Sequence, residues 1–182
     1  VRAQFEALGI PTIDADTLAR DTVAAGSEGL SAVVSRFGVG ILDSSGALDR
    51  HALAKIIFAD RAARRDLEHI IHPRVRHAID AWFASIDPER HPIAVADIPL
   101  LYETGRESDF DVVIVTACNA ETQVRRVVAR DGMTEPEARH RLAAQRPIDD
   151  KTRRADFVIR TDGLLEDTNR RVAEVLEQLK AS

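Results

Sequence analysis

Three stretches of the sequence hold residue types that can do chemistry. Asp14-Ala15-Asp16 closes the short apolar run that begins at Ile10. Paired acids at a strand end can hold a metal or take a proton from a hydroxyl; an acid there can equally cap the helix that follows. Asp97-Ile98-Pro99-Leu100-Leu101-Tyr102-Glu103 ends a second apolar run, Ile93 to Ile98. A carboxylate in that position suits magnesium, directly or through water, and reads otherwise as a capped strand end with a structural proline. The third stretch is basic: residues 125 to 160 hold ten Lys or Arg against six Asp or Glu, a net +4 on a chain of net −5. Arg126 and Arg130 stand four apart on one helix face, and Arg141 and Gln145 four apart on the next. Guanidinium groups grip phosphate oxygens bidentately and stay charged, so a basic region on an acidic protein points to a polyanionic ligand. For any single arginine, an ion pair on a solvated helix is the plainer reading.

A further basic group, Arg64, Arg65, His69, His72, Arg74, Arg76 and His77, surrounds Pro73. It has the makings of an anion site at a helix start, while Pro73 interrupts the spacing that a metal site built from its histidines would need. Cys118, just past a strand, reads as a small buried hydrophobe.

The elements that must position these residues follow from periodicity and punctuation. Val1, Phe5 and Leu8 form a helical stripe closed by Gly9, with no capping residue ahead of it. Helices are expected over about Thr17 to Ala25, over Glu28 to Phe37, after the caps Asp49 and Asp60, and from Pro73, at a first helical position, to about Ser85. Ile93 to Ile98 and Val112 to Thr116 read as buried strands, Phe157 to Ile159 as a last short one. A helix begins at Ala120, Thr134 to Glu137 has the capping-box pattern, and Leu164 to Leu179 closes the chain. Strands separated by helices call for crossovers and a parallel sheet, an α/β fold with helices on both faces. In such sheets ligands bind outside the carboxyl ends of the strands, where the acids stand. Residues 27 to 86 show helices and no strand, and read as a helical insertion.

Composition bounds the rest. The length, 182 residues, fits one domain. The acidic balance argues against a general nucleic-acid or membrane-surface binder. A single cysteine suggests a reducing compartment, hence the cytoplasm. No run of apolar residues is long enough to span a bilayer, and no basic-then-apolar leader opens the chain.

Together these residues resemble the dephospho-coenzyme A kinases of the P-loop kinase superfamily. The matching pieces are Leu8-Gly9-Ile10, Ile13-Asp14-Ala15-Asp16 and Arg20, then Ile71-His72-Pro73, Asp97 to Glu103, Gln123 to Asp131, and Arg141 to Gln145. They occur in the family's order and spacing over essentially the whole chain. The resemblance implies transfer of the ATP γ-phosphoryl group to the ribose 3′-hydroxyl of dephospho-coenzyme A, with Mg2+, the last step of coenzyme A synthesis. It implies a single kinase-like domain with a substrate-binding insertion over 27–86 and a lid over 132–153. Asp16 is then the general base and Arg141 the lid arginine on the transferring phosphates. Arg126, Arg130 and Gln145 fall on the ATP side; His72, Leu101, Tyr102 and Glu103 border the dephospho-coenzyme A site; Asp97 holds magnesium through water. Two other readings stand beside it: another small-molecule P-loop kinase, or a non-catalytic protein binding a coenzyme A-like ligand. The family's opening strand and its GxxGxGK(S/T) loop have no counterpart here: Val1 matches the helix residue just after that loop. The expectation is that a segment ahead of Val1 supplies the backbone N–H cradle, the lysine and the magnesium-binding hydroxyl.

Overall fold

The computed structural model describes residues 1–181. They pack as two compact units, one formed by Pro11–Pro99 and the other by Val1–Ile10 with the chain from Leu100 onward.

In the first unit β1 (Thr12–Asp14) pairs in parallel with β2 (Val95–Asp97), and the register sets Asp14 beside Asp97 at the carboxyl ends. The crossover between them is helical: α2 (Ala15–Thr22), α3 (Glu28–Phe37), α4 (Arg50–Ala59) and α5 (Arg61–Ser85). Side-chain caps start each helix. Asp14 accepts from the backbone N–H groups of Asp16 and Thr17, Ser27 from Leu30, Asp49 from His51 and Ala52, and Asp60 from Ala62. The α2 cap lies ahead of the position the sequence suggests, so α2 begins at Ala15 and has already ended at Thr22. Helix α5 packs against α2, α3 and α4, around a core of Val23, Val33, Ile41 and Leu53. Gly29 is required by close approach: a Cβ there would lie 2.1 Å from the Thr22 carbonyl oxygen.

One expectation fails in this unit. Pro73 does not open a helix; it lies inside α5, which runs unbroken for 25 residues from its cap at Asp60. Proline removes a backbone donor and crowds the preceding turn. Here Leu67, Ile70 and Ile71 anchor the turn before it on the core, and Ile79 is buried beyond it. Arg74 Nη1 also donates to the Ile70 carbonyl at 2.7 Å. Tertiary packing carries the helix through the break.

In the second unit β3 (Ile114–Ala117) pairs in parallel with β4 (Phe157–Arg160). The crossover is α6 (Ala120–Asp131), α7 (Glu135–Ala143) and α8 (Ile148–Arg154). Asn119 caps α6, and the capping box of Thr134 and Glu137 starts α7. Between those helices Gly132 takes the left-handed conformation, φ 66°, which lets the chain turn after α6. Helix α9 (Leu165–Lys180) packs on β4 and on α1 (Arg2–Ala7), burying Thr168, Val172, Val175 and Leu176. Cys118 is buried behind β3. No helix among the described residues is long and apolar enough to cross a membrane.

Candidate active site

The acids at the end of β1 divide into two environments. Asp14 Oδ1 is occupied by the helix cap, accepting from Asp16 N at 2.8 Å and Thr17 N at 3.2 Å. Asp16, in the first turn of α2, is exposed, and among the described residues its carboxylate has no partner. It stands on the wall of a cavity of about 290 Å3 in the first unit, together with Arg20, Arg50, Leu53, Ile57 and Ile71. His72 is exposed on α5 and does not line this cavity, although Ile71 beside it does. Asp97 ends β2 exposed, register-paired with Asp14.

The second unit gathers the arginines. Asp131, the last residue of α6, holds two of them: Arg130 Nε at 2.6 Å on one oxygen, and Arg141 Nη1 at 2.7 Å on the other. The hydrogen bond from Arg130, reinforced by both positive charges, keeps the Asp131 carboxyl below its ordinary range. Arg126 lies elsewhere: its guanidinium donates to the hydroxyl and the carbonyl of Thr161, just past β4, at 2.9 and 2.6 Å. Other basic residues of this stretch are internally paired, Arg139 with Glu121 and Glu135, Arg146 and Arg153 with Asp150, and Arg154 with Glu107.

The segment after β2 is fixed from the same unit. Glu103 Oε1 accepts from Lys151 Nζ at 2.7 Å and from the backbone N–H of Arg146 at 2.9 Å. Burial pushes the Glu103 carboxyl up, but the two donors and the lysine charge hold it below the usual range. Tyr102 is buried with the Arg154 guanidinium 4.7 Å from its ring centre. Burial raises its phenol pKa, and neither its hydroxyl nor Glu103 Oε2 finds a hydrogen-bond partner among the described residues. Leu101 packs on the same cluster, with Tyr102, Val113 and Val115. Gln145 and Gln123 line a smaller cavity of about 170 Å3, with Arg146, Ile148 and Lys151 at its wall.

The residues expected from sequence therefore fall into groups: Asp16 at a cavity, Arg130 with Arg141 on one carboxylate, and Tyr102 with Glu103 in a buried cluster. Sequence reasoning missed Asp131, Lys151 and Arg50. Nothing in spacing singles out Asp131 or Lys151 from a run of mixed charges: Arg141 is ten residues from Asp131, and Glu103 is 48 from Lys151.

A family model described as dephospho-CoA kinase matches residues 1–167 of the chain. The chain belongs to the dephospho-CoA kinase family. A dephospho-CoA kinase of Geobacter sulfurreducens is 45% identical over 171 residues, covering 94% of this chain and 87% of the relative. One from Anaeromyxobacter dehalogenans is 45% identical over 161 residues, 88% and 76% of the two chains. A crystal structure of a Thermus thermophilus protein superposes with a TM-score of 0.78 at 33% identity, over 97% of this chain and 88% of that one. The dephospho-CoA kinase of Campylobacter jejuni gives 0.72 at 27%, over 98% and 90%. The fold is thus the α/β fold of P-loop kinases. The family is one of transferases that phosphorylate dephospho-CoA in the final step of coenzyme A biosynthesis, with ATP as co-substrate.

Proposed function

We propose that this chain phosphorylates the ribose 3′-hydroxyl of dephospho-CoA in the cytoplasm, with Asp16 as the general base. The observation that carries the assignment is the division of labour at the end of β1. Asp14 supplies the helix cap, which leaves the Asp16 carboxylate, in the first turn of α2 and on a cavity wall, available to a hydroxyl. A carboxylate there accepts the 3′-hydroxyl proton and aims the oxygen at phosphorus.

Arg141 and Arg130 bind the phosphates in this reading. Both already hold the oxygens of one carboxylate, Asp131, and phosphate oxygens offer the same acceptor geometry with more charge. Arg141 lies in the lid, residues 132–153, which closes over ATP; the insertion over 27–86 receives dephospho-CoA. Arg126 and Gln145 contribute on the nucleotide side, Arg126 by ordering the Thr161 turn. His72 lies on the acceptor side within the insertion, and in the other unit Tyr102 and Glu103, beside Leu101, are held against α8. Magnesium fits the carboxylate of Asp97 at the end of β2, since it takes one or two carboxylates and fills its shell with water and phosphate. Asp97 would hold it through water; bound there, it neutralises charge on the transferring phosphoryl group.

No GxxGxGK(S/T) run occurs from Val1 to Ser182, so turnover is measured on the chain joined behind the family's strand and phosphate loop. Formation of coenzyme A from dephospho-CoA and ATP tests the assignment. A chain that phosphorylates nucleoside monophosphates instead would overturn it.

A further inference from the structure

We propose that the cavity between α2, α4 and α5 takes the diphosphate of dephospho-CoA and the dimethyl-substituted carbon next to it, with Arg20 and Arg50 on the diphosphate. This rests on dephospho-CoA being the acceptor substrate. The cavity, about 290 Å3, has a divided lining. Its polar side chains are Asp16, Arg20 and Arg50; every other residue on its wall is aliphatic, Leu53, Ile57 and Ile71 among them. Those three side chains belong to, or pack directly on, the core of the unit, so the floor is fixed by packing.

The two guanidinium groups are uncommitted. Neither Arg20 nor Arg50 has an ion-pair partner among the described residues, and Arg20 makes no ion pair with Asp16 although the two stand at i and i+4 on α2. Elsewhere arginines in reach of an acid take it, as Arg36 does with Asp66 and Arg64 with Glu68. Two unneutralised guanidiniums over an apolar floor leave a site for a dianionic group, and their planar forks match phosphoryl oxygens.

The floor selects what is attached to that group. It offers no aromatic face for stacking and no side-chain amide or hydroxyl for the edge of a purine. Dephospho-CoA has, on the side of its diphosphate away from the ribose, a methylene and then a carbon bearing two methyl groups. Aliphatic side chains beside a pair of arginines complement that sequence of groups. On the other side of the diphosphate comes the ribose, and its 3′-hydroxyl then falls toward Asp16 on the same wall. The substrate is held by its middle and presents its acceptor oxygen to the base, which is how binding energy away from the reacting atom positions it.

Titration calorimetry on the chain as it stands decides the matter, with dephospho-CoA and ADP-ribose as probes. ADP-ribose keeps the adenosine diphosphate and lacks the methyl groups. The expected result is tighter binding of dephospho-CoA, with Arg20→Gln and Arg50→Gln each weakening it roughly tenfold or more, and Lys at either position weakening it less than Gln. Unchanged melting curves for these exposed positions show that the fold is intact. Equal binding by the parent and both Gln variants overturns the diphosphate site and leaves the kinase assignment standing. Equal affinity for the two probes overturns the dimethyl contact. No binding of dephospho-CoA to the parent overturns both the site and the assignment on which it rests.

Discussion

Replacing Lys151 by methionine tests whether the Glu103–Lys151 pair fastens α8 to the segment that follows β2. Methionine keeps the length of the side chain and removes the charge. The pair is short, 2.7 Å, and its side chains are only 11% and 19% exposed. Breaking a fully buried pair costs about 3–5 kcal/mol, and an exposed pair is worth about 0–1 kcal/mol. This geometry lies between, because Glu103 keeps the Arg146 N–H on one oxygen while its other oxygen has no hydrogen-bond partner. A cost of about 2 kcal/mol lowers the melting temperature of a protein of this size by roughly 4–8 °C. The pH dependence follows from the depressed Glu103 carboxyl. Its stabilisation is complete above the ordinary value of 4.5 and is lost as pH falls through the lower folded value. The difference in melting temperature between parent and variant is therefore full at neutral pH and shrinks in acid below that range. Adding Glu103→Gln to Lys151→Met should cost far less than the sum of the single changes, since no unpaired charge remains. A melting temperature within about 1 °C of the parent at neutral pH, the behaviour of an exposed pair, would mean that the pair does not fasten α8.

Gly29→Ala should destabilise by about 1–3 kcal/mol in a thermal melt, because its Cβ meets backbone and the gain in helix propensity is smaller than the overpacking cost. Asp14→Ala should lose about 1 kcal/mol of stability by uncapping α2, with Asp14→Asn retaining most of it. Arg141→Lys, measured in the loop-bearing enzyme, should lower kcat more than it raises the KM for dephospho-CoA, since lysine keeps the charge and loses the fork; kinetics equal to the parent would leave Arg141 as a partner of Asp131 alone.

Much of the fold is legible from the order of residues. Short Val- and Ile-rich runs between amphipathic segments give parallel strands with helical crossovers, and Asp49, Asp60 and Thr134 mark helix starts that the structure keeps. Pro73 misleads because its signal is local, whereas α5 is held by Ile70, Ile71 and Ile79 against the rest of its unit. Asp14 and Asp16 look alike in sequence; only the backbone turn decides which of them caps α2. The charges of residues 125 to 160 raise the expectation of an anion site, but the sequence does not say that Asp131 would gather Arg130 and Arg141, or that Glu103 would reach Lys151. Those pairings depend on how helices pack, and no periodicity encodes them.

In the proposed reaction Asp16 takes the proton and Asp14 builds the turn. Steady-state formation of coenzyme A by the loop-bearing enzyme, compared among the parent, Asp16→Asn and Asp14→Asn, tests it most directly. Asparagine preserves shape, so the comparison isolates the base. Asp16→Asn should lose kcat toward the lower half of the about 10²–10⁴-fold range of general-base catalysis, because the loose transition state leaves the hydroxyl little acidified early on. Its melting curve should be unchanged, and Asp14→Asn should keep near-parental kcat. Parental turnover by Asp16→Asn, or a loss that merely follows a lower melting temperature, would contradict it.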